Sequence, residues 1–160
     1  KEPNGDLDVR VSLLTKKFGK LTVKAKSARK ITSKLSAHLE PGNVAQVRLV
    51  EKNGLQVVDA LKQGSLNIHL PHLHLLGTLL AEDGPDKALW QMLVSETFDW
   101  RKILKMLGWD PASARCHVCE TAQPAIFNIH TQDFFCKRCF DEHGALLPPH
   151  QKDALIQIQG

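Results

Sequence analysis

The sequence predicts an α+β protein in which a small N-terminal β-barrel, within residues 1–62, precedes a helical domain, within residues 63–160, that carries a four-cysteine module. Three observations lead to this prediction. Apolar and polar residues alternate in the first third of the chain, the apolar spacing becomes helical from about Ser65, and every cysteine lies between residues 116 and 139. The apolar content of 42% and the charged content of 24% are ordinary for globular proteins, which argues against disorder.

Four segments of the first third show the alternation of half-buried strands. Residues 7–14 (LDVRVSLL) and 20–26 (KLTVKAK) flank a turn that contains Gly19. Residues 44–51 (VAQVRLVE) and 54–61 (GLQVVDAL) meet at a Lys-Asn-Gly turn. Short strands joined by tight turns are typical of a small barrel, and we expect one here.

The same third of the chain is strongly basic. Residues 1–62 contain 13 lysines and arginines against 6 acidic residues, and no acidic residue lies between Asp8 and Glu40. A solvated face usually mixes both signs, so this pattern favours a polyanion site, with a merely solvated basic face as the alternative. Phe18 is the only aromatic residue of this segment, so we expect contacts mainly to phosphate. The predicted nucleic-acid contacts are Lys20, Lys24 and Lys26 on a strand face and Arg29, Lys30 and Lys34 in the following loop, with Lys16 and Lys17 as second choices.

Three helical segments follow. Leu73, Leu76 and Leu80 form an apolar stripe, and Pro71 suits the first turn of that helix. Asp86 is the expected N-cap of a second helix, whose inner face holds Leu89, Trp90 and Leu93. The third segment runs from Asp99 to Leu107 and stops at Gly108. A tail with Pro148–Pro149 and one or two further helical turns is expected after the cysteines.

The cysteines have the spacing C-x2-C-x16-C-x2-C, which is in the range of a four-thiolate zinc site. Each CxxC turn aims two sulfurs at one point, and a hairpin of residues 125–128 and 133–135 returns the chain to complete the tetrahedron. Arg115, Lys137 and Arg138 would offset the negative charge of the thiolates. The predicted ligands of one structural Zn²⁺ are Cys116, Cys119, Cys136 and Cys139.

Alternatives to that site remain open in the sequence. The cysteines can instead form two disulfides or a redox-active pair, although no secretory signal is evident in the sequence and a reducing cytosol is the expected compartment. His117, His130 or His143 can replace a thiolate, and His69, His72 and His74 form a weaker three-histidine candidate interrupted by Pro71. No phosphate-loop, nucleophile-elbow or HExxH motif occurs, so no enzymatic activity is predicted. No run of 18 apolar residues occurs, so no membrane span is expected.

Three stretches in order resemble the bacterial recombination mediator family RecO. VSLLTKKFGKLTVKAKSARKITSKLSAHLEPG (residues 11–42) is similar to the family's N-terminal barrel, in which a strand ends in a leucine-threonine pair and a glycine turn follows. WRKILKMLGWDPASARCHVC (residues 100–119) is similar to its last core helix and first zinc pair, and DFFCKRC (residues 133–139) to its second pair. By the family pattern, the first barrel strand should precede Asp6, and it is missing here, so the barrel is either incomplete or begins before Lys1.

The resemblance implies an OB-fold barrel joined to a helical domain with a zinc finger. It also implies a cytoplasmic, nucleoid-associated protein that binds single- and double-stranded DNA, anneals complementary strands and loads recombinase together with the partner RecR. Docking of single-strand-binding protein is a further implied contact. Two other functions fit the residues alone. A generic zinc-ribbon nucleic-acid-binding protein of transcription or translation would bind through Lys137 and Arg138, and a redox or scaffold protein would bind no nucleic acid.

Overall fold

The computed structural model describes residues 1–82, 84–95, 97–143 and 152–158, and it confirms the mixed α+β class. The chain divides into two compact units, Lys1–Thr97 and Phe98–Gly160. The first two helices therefore belong with the N-terminal sheet, whereas the sequence analysis grouped them with the cysteine module. That residues 1–62 act as a separate nucleic-acid-binding barrel stays a prediction.

The first unit contains a five-stranded sheet of β1 (Glu2–Pro3), β2 (Val9–Thr15), β3 (Gly19–Ala25), β4 (Asn43–Glu51) and β5 (Leu55–Ser65). The strand order is β1-β2-β3-β5-β4, with β3 and β5 parallel and the other pairs antiparallel. Within the described residues β4 pairs with β5 alone, and the OB-fold stays a prediction. The sequence analysis expected the strand before Asp6 to be missing, whereas a two-residue strand, β1, lies there and pairs with β2.

The alternation of β2 and β3 produces one buried face. Val9 lies opposite Ala25 and Val11 lies opposite Val23, and all four side chains are buried. The core that grows from this face consists of Val9, Val11, Val23, Ala25, Ala28, Leu39, Val57 and Ala60. The turn between the strands requires Gly19, because its φ is +70° and a Cβ there would lie 2.4 Å from the carbonyl oxygen of Gly84.

The helices of the first unit are α1 (Leu70–Leu79), with a proline in its first turn, and α2 (Lys87–Ser95). The predicted cap of α2 is confirmed, since the Leu89 amide donates to Asp86 Oδ1 at 2.8 Å. Leu89, Met92 and Leu93 are buried, whereas Trp90 is only half-buried. Met92 therefore takes the inner position that the sequence analysis gave to Trp90.

The second unit contains α3 (Trp100–Met106), β6 (Ile126–Asn128), β7 (Asp133–Phe135), α4 (Lys137–His143) and β8 (Leu155–Gln157). Asp99 caps α3 by accepting from the Arg101 amide at 2.8 Å. The predicted hairpin is present as β6 and β7, and β8 adds a third strand next to β6 that the sequence analysis did not predict. The expected tail around Pro148–Pro149 lies outside the described residues.

The buried side chains of the second unit come from both α3 and its small sheet. The side chains of Ile103, Leu104, Phe127 and Ile156 are fully buried, and the rings of Trp109 and Phe127 are 5.4 Å apart. β6 is the central strand, which explains why its three residues are all buried. Within the described part of the chain, every helix is too short or too polar to cross a bilayer.

Candidate metal centre and candidate nucleic-acid interface

The first cysteine pair lies on a tight turn that is fixed to the hairpin. The Glu120 amide donates to the Cys116 carbonyl at 2.9 Å, and the Cys116 amide donates to the Thr121 carbonyl at 2.9 Å. The His117 amide donates to the carbonyl of Phe134 on β7 at 2.8 Å. This last bond holds the Cys116–Cys119 turn against the strand that leads into the second pair.

The second pair lies where β7 passes into α4. Cys136 follows the last residue of β7, and Cys139 lies in the first turn of α4, where its amide donates to Cys136 Sγ at 3.4 Å. This bond fixes the two cysteines of the pair relative to each other. β7 and α4 together therefore present the sulfurs of Cys136 and Cys139 to the Cys116–Cys119 turn.

The four sulfurs are close enough for one metal ion. The sulfurs of Cys116, Cys119, Cys136 and Cys139 all lie within 4.8 Å of one another, and none is in a disulfide. Cys119 Sγ is 3.7 Å from Cys136 Sγ. Metal–sulfur bonds of about 2.3 Å in a tetrahedron place the sulfurs about 3.8 Å apart, so the cluster fits such a site.

The electrostatics of the cluster call for a cation. Burial disfavours the Cys116 thiolate, but backbone hydrogen bonds from Cys136, Cys119 and Val118 outweigh it and lower the pKa of Cys116 to about 6. Hydrogen bonding to Cys119, followed by burial, raises the pKa of Cys139 to about 12. Four thiolates within 4.8 Å of one another would carry a concentrated negative charge, which a bound metal cation would offset.

The basic neighbours are arranged unevenly around the sulfurs. The carboxylate of Glu142, and then the thiolates of Cys139 and Cys119, raise the pKa of Arg138. Lys137 instead pairs with Asp141 at 3.1 Å, and Arg115 Nη1 donates to the Glu120 carbonyl at 3.2 Å. Arg138 is therefore the predicted basic neighbour whose charge acts on the cluster.

The histidine alternatives are not assembled into sites within the described residues. His117 Nδ1 lies 3.3 Å from an oxygen of Asp133, and the four cysteines are the one group there with metal-ligating geometry. The rings of His69 and His72 meet edge to face at 6.0 Å, and these two histidines and His74 do not form a metal-ligating group among the described residues. The side chain of His143 lies outside the description.

In the first unit, the lysines of β3 are engaged within the fold. Lys20 Nζ donates to the carbonyls of Gly77 at 2.7 Å and Leu80 at 2.9 Å, so it caps the last turn of α1. Lys24 Nζ is 3.0 Å from Asp8 Oδ2. The charge of the lysines predicted to lie on the strand face is thus partly neutralised. Lys20 in particular has its donors directed at α1 rather than at solvent.

Asp8 fixes the point where β3 passes into the following loop. Its Oδ1 accepts from the Ser27 amide at 2.8 Å, and that bond, followed by the bond from Lys24, lowers the pKa of Asp8. Ser27 has a left-handed backbone with φ of 54°, which an unassisted serine rarely adopts. One carboxylate therefore holds both a strand lysine and the base of the loop.

Residues 26–34 form what we call the basic loop. Its cationic side chains are exposed to solvent, and these are Lys26, Arg29, Lys30 and Lys34. The Arg29 amide donates to the Leu7 carbonyl at 2.9 Å, and the buried Ala28 anchors the loop in the core. Four of the six predicted nucleic-acid contacts therefore lie together on one anchored loop.

Two further basic residues have informative positions. Arg10 lies directly opposite Lys24 in the β2–β3 register and is exposed, so it extends the basic surface of the loop onto β2. Sequence reasoning omitted it, although its place on the polar face of the strand was visible in the alternation. Lys16 Nζ lies 5.4 Å from the centroid of the Trp90 ring, a cation–π contact that engages one of the second-choice lysines.

Comparison with known proteins shows what the sequence of this chain is similar to. The family model "Recombination protein O N terminal" matches residues 2–65, which include the whole N-terminal sheet and the basic loop. Several curated proteins named DNA repair protein RecO align over most of the chain. The chain is similar in sequence to these RecO proteins. The family resemblance predicted from residues 11–42, 100–119 and 133–139 is thereby confirmed.

The relatives show how much of the chain the similarity covers. The DNA repair protein RecO of Rhodopirellula baltica is 26% identical over 163 residues, covering 81% of this chain and 60% of the relative. That of Thermodesulfovibrio yellowstonii is 26% identical and covers 86% and 65%, and that of Acidithiobacillus ferrooxidans is 29% identical and covers 98% and 68%. The chain thus spans about 60 to 65% of the length of the first two relatives.

Proposed function

We propose that the chain is a DNA-binding protein of DNA repair and homologous recombination that holds nucleic acid on the basic loop and acts as a mediator rather than as an enzyme. The observation that carries this proposal is the cluster of Lys26, Arg29, Lys30 and Lys34 on one anchored, exposed loop. Support comes from the match of this segment to the recombination protein family and from relatives named DNA repair protein RecO.

The chemistry of the loop is that of phosphate binding. Lysine and arginine displace condensed counterions from the backbone of DNA without reading its bases, so they provide affinity with little sequence preference. A surface of lysine and arginine side chains binds single-stranded and double-stranded DNA alike. Screening the repulsion between two backbones also favours annealing of complementary strands, and annealing is part of the proposal, as is the loading of recombinase together with RecR.

The four-cysteine centre has a structural role in this proposal. Four thiolates occupy all four coordination positions of a tetrahedral zinc ion and leave none for a substrate. The bound Zn²⁺ would therefore hold the Cys116–Cys119 turn to the start of α4. The paired charges around it argue against a second DNA surface, because Lys137 already contacts Asp141 and Arg138 acts on Glu142 and the thiolates. This arrangement disfavours the zinc-ribbon alternative.

The test is fluorescence-anisotropy titration of a labelled single-stranded DNA at several salt concentrations. If each of the four loop cations neutralises one phosphate, log K falls against log salt with a slope of about −3. The triple variant Lys26→Ala/Lys30→Ala/Lys34→Ala should flatten that slope by about 2 and weaken binding most at low salt. The same samples, mixed with complementary strands, report annealing by fluorescence quenching.

A control variant removes the same charge from elsewhere in the first unit. Arg48, Lys62 and Lys87 are exposed and lie outside the basic loop, so the triple alanine variant at these positions should keep most of the slope. Equal flattening by both variants would mean that only net charge matters. A normal slope in the loop variant, lost instead in Lys137→Ala/Arg138→Ala, would overturn the proposal in favour of a zinc-ribbon binder.

A further inference from the structure

The basic loop carries one side chain that phosphate binding does not explain. Ile31 is 105% exposed, more than any other large apolar residue in the described part of the chain, where Leu70 at 63% and Phe18 at 61% come next. It lies directly after Lys30 and three residues before Lys34. Because the apolar surface of this side chain stays in water, it contributes no hydrophobic stabilisation to the free protein.

The backbone holds Ile31 outward. The Lys30 amide donates to the Ser27 carbonyl at 3.1 Å, and the Ser33 amide donates to the Lys30 carbonyl at 2.9 Å, so two consecutive turns bracket the side chain. On one side the loop is anchored by the buried Ala28, and on the other Leu35 packs against the core. With both flanks fixed, Ile31 stands at the tip of a bonded turn and cannot reach the core without breaking the turn.

The side chain itself suits insertion into a stack of bases. Isoleucine is branched at Cβ and has few accessible rotamers, so ordering it on binding costs little entropy. Proteins that bend or open nucleic acids commonly insert an apolar side chain between adjacent bases, with nearby lysines or arginines on the phosphates. In this loop, Arg29, Lys30 and Lys34 provide such charges on both sides of Ile31.

We propose that Ile31 is an aliphatic wedge that separates two adjacent bases of the bound nucleic-acid strand while the lysines beside it hold the phosphates. This inference rests on the proposed function and adds base contact to what would otherwise be phosphate contact alone.

The test compares Ile31→Ser with Leu61→Ser, a control at another exposed apolar residue of the same unit, which is 56% exposed and lies on β5. The DNA carries 2-aminopurine, a base whose fluorescence rises when its stacking is lost. Binding of the parent chain should raise that fluorescence. Ile31→Ser should abolish most of the rise and weaken binding about threefold to tenfold, the effect of losing one partly buried aliphatic side chain.

The salt dependence separates this inference from the proposed function. Ile31→Ser keeps every charge, so its slope of log K against log salt should equal that of the parent. If the parent binds with the expected slope but Ile31→Ser raises 2-aminopurine fluorescence as the parent does, the wedge is overturned and DNA binding stands. If the parent shows no salt-dependent binding at all, the proposed function itself fails. A loss of signal in Leu61→Ser equal to that in Ile31→Ser would also overturn the wedge.

Discussion

Replacing Cys136 by serine should unfold the second unit while leaving the first unit folded. Cys136 supplies the sulfur 3.7 Å from Cys119 Sγ and accepts the Cys139 amide, so its loss breaks the contact between the two CxxC turns. The second unit is 63 residues long, Phe98–Gly160, and a domain of that size has a free energy of unfolding of roughly 3–9 kcal/mol. Structural zinc sites contribute about 10 kcal/mol or more, which exceeds that stability.

The assay is thermal unfolding followed by near-ultraviolet circular dichroism, together with the zinc content of the purified chain. The parent should contain one zinc per chain and show a cooperative signal from Trp109, whose ring packs on the buried Phe127. Cys136→Ser should lose both, and a chelator should reproduce the loss in the parent. Val118→Ser is the matched control, because Val118 lies in the same turn but is 48% exposed and is not a ligand.

A contrary result would be clear. If Cys136→Ser keeps the cooperative transition and the Trp109 signal of the parent, the metal does not support the fold of this unit. Reversible oxidation of the metal-free parent to two disulfides would favour the redox alternative instead.

Three further outcomes are expected. Gly19→Ala should destabilise the first unit in urea by more than the roughly 1–2 kcal/mol cost of a left-handed backbone, because the new Cβ meets the Gly84 carbonyl. The control is Gly54→Ala, at φ of +92° with open space around it, which should show the backbone strain alone. Asp86→Ala should cost about 1 kcal/mol through loss of the α2 cap, whereas Asp86→Asn, which keeps the acceptor, should cost less. The lowered pKa of Asp8 means that its stabilising contribution is complete above its ordinary value of 3.8 and is lost as pH falls through the lower folded value. The Ser27 amide resonance should therefore move only below about pH 4, and a similar movement in Asp8→Asn would contradict this cause.

Much of the fold was predictable because the signals are local. The alternation in β2 and β3 fixed which residues are buried, since a strand period of two leaves no second register that buries Val9, Val11 and Val23 together. The clustering of the four cysteines was predictable for a similar reason. Each CxxC turn brings its own two sulfurs together, so only the meeting of two turns depended on the tertiary fold.

The features that sequence reasoning missed depend on distant partners. Lys20 has the alternation of an exposed strand residue, but its ammonium is bound by carbonyls 57 and 60 residues later in the chain, which no local pattern reveals. β8 is three residues long, too short to show a period, and exists because it completes the pairing of β6. The exposure of Ile31 has a different cause, because it follows from the two local turns that bracket it, which composition does not specify.

The most direct test of the central claim is nuclear magnetic resonance of the ¹⁵N-labelled full chain during titration with single-stranded DNA. The account predicts that amide resonances of residues 26–34 shift first and most, together with that of Arg10 on the neighbouring strand. Resonances of residues 116–119 and 136–143 should stay near their free positions. Shifts confined to the cysteine module, with the basic loop unchanged, would contradict the account and favour a zinc-ribbon interface.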